Sequence, residues 1–165
     1  MRLYCNHTEG SNPNLWNVPN LYLQKFPAEE FTVTARVDFR PKMDGERTGL
    51  LVMGMDYSTL VLEQINGEIH YYLETRLDAD SGGEAKTTLP VKSGTGNLYL
   101  RVKVSESAIC SFSISADGQE FTGVGDPFNA VQGRWIGAKV GLFATGSQRT
   151  NDTGWADFDW FRITP

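Results

Sequence analysis

FTVTARVDF (residues 31–39) alternates from end to end, with Phe31, Val33, Ala35, Val37 and Phe39 on one side of an extended chain. Thr32, Thr34, Arg36 and Asp38 take the other side. A period of two that separates apolar from polar residues is the pattern of a half-buried strand. NLYLRVKVS (97–105) repeats it with Leu98, Leu100, Val102 and Val104 inward, and AICSFSIS (108–115) sets Cys110, Phe112 and Ile114 against three serines. TGLLVMGM (48–55), STLVLEQI (58–65), GEIHYYLETR (67–76) and KVGLFATG (139–146) also read as strands. Asn66-Gly67 and Asp117-Gly118 are two-residue hairpin signals, because both positions of such a turn tolerate positive φ.

No stretch of twelve or more residues carries an apolar stripe at helical period, and the 17 glycines and 7 prolines fall mostly between the strands. The chain is all-β. Its 165 residues suffice for one domain with a real core, and evenly spaced two-faced strands favour two packed antiparallel sheets over a small closed barrel. SGGEAK (81–86) and SGTGN (93–97) are expected to be exposed loops.

A net charge of -5 without a Lys/Arg cluster repels phosphate backbones, which excludes nucleic acid as a partner. No apolar run reaches the roughly eighteen residues a bilayer span needs, so no membrane partner is expected. The start, MRLYCNHTEG, has no basic residue followed by a hydrophobic stretch, so an export signal would have to lie outside this chain. Met1 stands directly before a strand-like RLYC, as an initiator added to a cut piece would. Cys5 and Cys110 could form one bridge, but their apolar, strand-like surroundings favour two small buried hydrophobes. Asn6-His7-Thr8 and Asn151-Asp152-Thr153 match a glycosylation acceptor too short to settle a compartment.

Most catalytic chemistries lack their residues. His7 and His70 are the only histidines, one in a polar N-terminal segment and one on a strand, so no Ser-His-Asp or Cys-His arrangement is legible. Two cysteines and two histidines scattered along the chain have no zinc-ligand spacing. GERTGLLVMG has no lysine in the phosphate-loop position and no helix behind it. Twenty acidic residues make some carboxylate pair inevitable, so an acid and base of the glycosidase kind cannot be singled out.

The closing stretch WADFDWFRITP (155–165) is unusual in setting two aspartates among large aromatic rings. In a regular strand Asp157 and Asp159 share a side with Phe161 and Ile163, while Phe158 and Trp160 share the other with Arg162. Either face then mixes bulk with charge, and a carboxylate in low dielectric needs a cation or several hydrogen bonds. Calcium would meet that need with hard oxygen ligands; so would Arg162 or another arginine near an exposed strand start. Aromatics offer a second possibility. Trp16, Trp135, Trp155 and Trp160, with Tyr22, Tyr57, Tyr71 and Tyr72, include several beside Gly, Asn or Asp rather than inside clean alternation. Exposed rings of this kind stack on sugar faces, although large aromatics are more often core or sheet-corner residues.

NLWNVPNLYLQKFPAEEFTVTARVDF, GERTGLLVMGMDYSTLVLE, YLRVKVSESAICSFSISADGQEFTGVGDPF, GRWIGAKVGLFATG and ADFDWFRI follow one another across nearly the whole chain. Together they resemble the C-terminal β-sandwich of glycoside hydrolase family 43 enzymes of the β-xylosidase and arabinofuranosidase type. The resemblance implies a concanavalin A-like jelly roll, residues 1–165 forming a single domain that lacks the family's first strand. It also implies a partner, the five-bladed catalytic propeller that holds the family's catalytic carboxylates, and a chain that is not an enzyme by itself. In related sandwiches a structural calcium is held between an aspartate of that first strand and one of the closing strand. By motif match this makes Asp159 a candidate ligand and Asp157 a weaker one, and loss of the first strand would expose a sheet edge.

Two functions follow from the resemblance. One is a non-catalytic accessory domain of a xylan-degrading enzyme that packs on the propeller and helps shape its substrate entrance. The other is a free-standing carbohydrate-binding module for a plant cell-wall glycan, for which Trp16, Tyr57 and Trp135 are the candidate contacts. A hydrolase in its own right would rest on fold analogy alone.

Overall fold

The structure is a computed structural model that describes residues 1–10 and 13–165. Its strands are β1 (Arg2–Tyr4), β2 (Asn6–His7), β3 (Tyr22–Lys25), β4 (Phe31–Arg40), β5 (Arg47–Met53), β6 (Tyr57–Ile65), β7 (Glu68–Arg76), β8 (Ala85–Thr87), β9 (Val91–Lys92), β10 (Asn97–Ser105), β11 (Ile109–Ser115), β12 (Thr122–Gly123), β13 (Phe128–Asn129), β14 (Lys139–Gly146) and β15 (Trp155–Thr164). Among the described residues they form two sheets. The first runs β1-β15-β4-β10-β11-β12 with β13 beside β11; the second runs β2-β14-β5-β6-β7-β8 with β3 beside β14 and β9 beside β7. Every pairing is antiparallel except the short β2–β14 contact.

The alternation of residues 31–39 is realised: the odd positions of β4 are buried and the even ones half-exposed. Val33, Ala35 and Val37 meet Leu100, Val102 and Phe112 of the same sheet and Leu50, Leu60 and Leu142 of the facing one in a single core. Each such aliphatic side chain contributes about 1.5–3 kcal/mol by leaving water. Cys5 and Cys110 lie in this core as free thiols, and burial pushes the Cys110 thiol up to about 12.

The second sheet is buried on both faces at its centre. β5 is buried at every position, and its Leu51 and Met53, with Tyr57, Val61, Tyr72 and Phe143, face away from the main core into a second one. That outer face is covered by a strap whose Leu15 and Val18 enter it, held by a 3₁₀ turn at Leu15–Asn17.

The turns follow local chemistry. Asn66 (φ +52°) and Gly67 (φ +76°) close the β6–β7 hairpin as that dipeptide predicts. Asp117-Gly118 does not make a two-residue hairpin: the Asp117 carboxylate accepts the N–H groups of Gln119 (2.8 Å) and Glu120 (3.1 Å), and the chain turns over residues 116–121 before β12. Glu46, only 2 % exposed, accepts N–H groups from Lys42 (2.6 Å), Met43 (3.3 Å) and Gly154 (2.7 Å), tying the β4–β5 connection to the start of β15.

β15 resolves the mixture of rings and carboxylates by breaking its own register. Phe158 pairs with Val37 and Trp160 with Arg36, so Asp159 has no opposite residue on β4. This bulge changes the parity of the strand. Ala156, Phe158, Phe161 and Ile163 all turn to the core, and Asp157, Asp159, Trp160 and Arg162 all turn away from it. The regular-strand reading, which put the aspartates on one side with Phe161 and Ile163, is therefore corrected. Beyond Phe158, which exchanges two hydrogen bonds with Met1, β15 has no further partner on its β1 side among the described residues.

Deleting Asp159 should leave a folded protein. It joins Phe158 to Trp160 in unbroken register and removes only an exposed ion pair, for a cost of about 1 kcal/mol or less in chemical denaturation. Deleting Asp157 instead inverts the faces at the start of the strand and should abolish the cooperative transition. An unfolded Asp159 deletion would contradict the bulge assignment.

Candidate functional site

The strap is fixed in place by side chains of the second sheet. Asn14 caps its turn, accepting the Trp16 N–H (3.1 Å) and donating through Nδ2 to the Ala79 carbonyl (2.7 Å). Beneath it the Leu15 N–H reaches the Tyr57 hydroxyl (3.5 Å), which donates to Glu74 Oε1 (2.8 Å), while Arg47 Nη2 donates to Glu74 Oε2 (2.6 Å). Arg47 and Glu74 are 1 % and 0 % exposed. Burial opposes the charge of Arg47, but Glu74, supported by Tyr72 and Glu63, keeps it firmly protonated. Tyr72 closes the cluster by donating to Glu63, and burial raises both tyrosine hydroxyls well above their ordinary range.

Tyr57 is thus a buried pillar with 0 % exposure, and the expectation that it stacks on a sugar is corrected. Its ring faces the second core and its hydroxyl is committed to Glu74.

Trp16 and Trp135 do come together. They line one cavity of about 370 Å³ with Gly54, Arg134, Ile136 and Lys139 at the end of the second sheet. Trp16 is half-buried against the second core, whereas Trp135 is 90 % exposed and Ile136 beside it is 37 % exposed. The loop over residues 130–138 is positioned by backbone. Met55 N–H binds the Gln132 carbonyl (3.1 Å), and the loop crosses Gly54 so closely that a Cβ there would lie 1.8 Å from the Val131 oxygen. Arg134 anchors its tip on Asp80 (3.2 Å).

The two tail aspartates are each engaged by an arginine. Arg2 grips Asp157 in a fork (2.8 and 2.7 Å), Trp155 Nε1 donates to the same carboxylate (3.1 Å), and the Arg2 hydrogen bond holds it below the usual carboxylate range. Asp159 is bonded to Arg36. Among the described residues no three or more His, Cys, Asp or Glu side chains gather where they could hold a metal ion. The buried carboxylates Glu46 and Glu74 are likewise engaged by structural partners rather than facing a cleft.

Two stacked sheets of antiparallel strands, one with its outer face strapped over, make the molecule a concanavalin A-like sandwich. Residues 1–164 match the family described as the β-xylosidase C-terminal concanavalin A-like domain, and the chain belongs to it. A non-reducing-end α-L-arabinofuranosidase of Bacteroides ovatus is 28 % identical over 149 residues, 87 % of this chain and 27 % of that protein. A β-xylosidase of Formosa agariphila is 25 % identical over 158 residues, 94 % of this chain and 25 % of that protein. The chain thus spans about a quarter of the length of these curated relatives. The same fold occurs in a bifunctional GH43-CE protein of Bacteroides eggerthii, with TM-score 0.83 and 18 % identity over 99 % of this chain and 20 % of that one. It recurs in the xylan β-1,4-xylosidase of Bacillus halodurans, with TM-score 0.77 and 17 % identity over 99 % and 32 %.

Replacing Arg47 by Met should destabilise the protein by about 3–5 kcal/mol, since Glu74 is left charged and buried. Pairing it with Glu74→Leu should recover most of that loss in urea denaturation. A harmless single substitution would show that the ion pair is not sealed from water.

Proposed function

We propose that the chain is the accessory domain of a family 43 glycoside hydrolase, without catalysis of its own, and that it packs on the catalytic propeller. In this reading the loop carrying Trp135 and Ile136 meets the propeller and helps wall its substrate entrance. The observation that carries it is the 90 % exposure of Trp135 on a loop whose backbone is tied down. A tryptophan held rigidly in water supplies a large apolar surface at little entropic cost once a partner covers it. The relatives' much greater length supports a neighbouring domain. The engagement of Glu46 and Glu74 by structural partners supports catalytic carboxylates that lie elsewhere.

A second reading has its own observation, the Trp16–Trp135 cavity, which could seat a sugar of a cell-wall glycan and make the chain a carbohydrate-binding module. Titration calorimetry of the folded chain with xylo-oligosaccharides and arabinoxylan separates the two. The accessory reading expects no saturable heat. It also expects that, in a chimera carrying this chain as the C-terminal domain of the Formosa agariphila β-xylosidase, Trp135→Ala lowers kcat/KM about tenfold, or about 1.4 kcal/mol. Saturable binding by the chain alone, lost in Trp135→Ala, would replace that reading with the module.

A further inference from the structure

The outer face of the seven-stranded sheet is not used by the strap, the cavity or the core. β15, β4 and β10 present charge on it in two zones. Near Trp155 the charges cancel, because Arg2 pairs with Asp157 and Arg40 with Asp38. Towards the other end they do not. Trp160 lies opposite Arg36, which lies opposite Tyr99; Arg162 lies opposite Thr34, which lies opposite Arg101; Lys103 follows one row on. Four cations therefore share this zone, and of them only Arg36 is paired with a carboxylate, Asp159. Arg101, Lys103 and Arg162 have no ion-pair partner among the described residues, on a chain whose net charge is -5.

The three arginines lie over rings. The Arg162 guanidinium lies 4.7 Å from the centre of the Trp160 ring, that of Arg36 5.9 Å from Tyr99, and that of Arg101 3.5 Å from Phe121. Tyr99 and Trp160 are themselves neighbours, 6.0 Å between centres. Arg101 Nε donates to the Thr34 hydroxyl (3.0 Å) and Arg36 to Asp159, so a guanidinium over a ring offers a carboxylate its remaining N–H groups. Serine and threonine hydroxyls fill the intervening outward positions of β4 and β11. Strands about 4.8 Å apart and rows about 6.8 Å apart set the cations out as a lattice rather than a point site.

We infer that this face binds a polysaccharide bearing uronate groups, with its carboxylates on the ring-stacked guanidiniums and its hydroxyls on the serine and threonine rows. A polymer with charge at intervals suits a lattice better than a single small anion does. Trp160 and Tyr99 are half-buried, so an acidic protein would find no protruding apolar anchor here. Guanidiniums already occupy ring faces that nucleic-acid bases would need. The site is independent of the Trp16–Trp135 cavity on the other sheet.

Native gels cast with polygalacturonate, glucuronate-substituted xylan or neutral arabinoxylan test it with the 165-residue chain. Retardation is expected in both uronate gels and not in the neutral one, and it should vanish when the uronate carboxyls are reduced to alcohols. The exposed pair Arg162→Gln/Lys103→Gln should weaken the apparent affinity at least tenfold, while Trp135→Ala leaves it unchanged. Equal retardation in all three gels, none in any, or an unchanged double variant would overturn the inference. So would equally tight binding to dextran sulfate or single-stranded RNA, which would mark nonspecific polyanion attraction.

Discussion

An ion pair sealed between a sheet and the strap that covers it constrains the rest of this molecule. Arg47 and Glu74 stand on neighbouring parts of the eight-stranded sheet, on its outer face, where a two-layer sandwich would ordinarily meet water. Taking both charges out of solvent is tolerable because each is the other's partner and Glu74 also accepts the Tyr57 hydroxyl. Tyr57 in turn receives the Leu15 N–H, so the polar cluster specifies where the strap lies, and Leu15 and Val18 then cover the apolar residues around it. Strap, ion pair and second core form one cooperative unit.

That unit has consequences for recognition. A sheet face open to solvent could cradle a sugar chain, but here its centre is filled by the protein's own residues. Recognition moves to the margins. Trp16 leaves the strap to form one wall of the end cavity, and the loop that crosses Gly54 brings Trp135 to the other side. Both rings depend on the same anchorage, because Asn14 fixes Trp16 to Ala79 while Arg134 fixes the loop to the adjacent Asp80. A rigid, exposed rim suits a domain that completes a neighbour's surface.

The sandwich itself was legible because strands such as β4 and β10 have one wet face, and a strict period of two then appears in the residues. The second core left a fainter trace. LLVM in β5 is apolar at consecutive positions, the sign of a strand buried on both faces, and that sign was available without coordinates. Tyr57 reads as a loop aromatic because it follows Gly54-Met55-Asp56, whereas it opens β6. The bulge at Asp159 was invisible because local residues do not state their partners, and one unpaired residue is enough to exchange the faces of a strand. The pairing of Trp16 with Trp135 was a long-range fact of the same kind; each was singled out separately, and only the fold joins them.

Hydrogen exchange of the strap, with and without xylo-oligosaccharides, tests most directly whether the sheet face is permanently closed. The closed arrangement predicts that the amides of Asn17 and Val18, which bond back within the turn, and of Leu15 are protected nearly as well as those of β5, and that sugar leaves them unchanged. Rapid exchange that slows on adding sugar would contradict it, since it would mean that the strap opens and the face beneath it is the binding site.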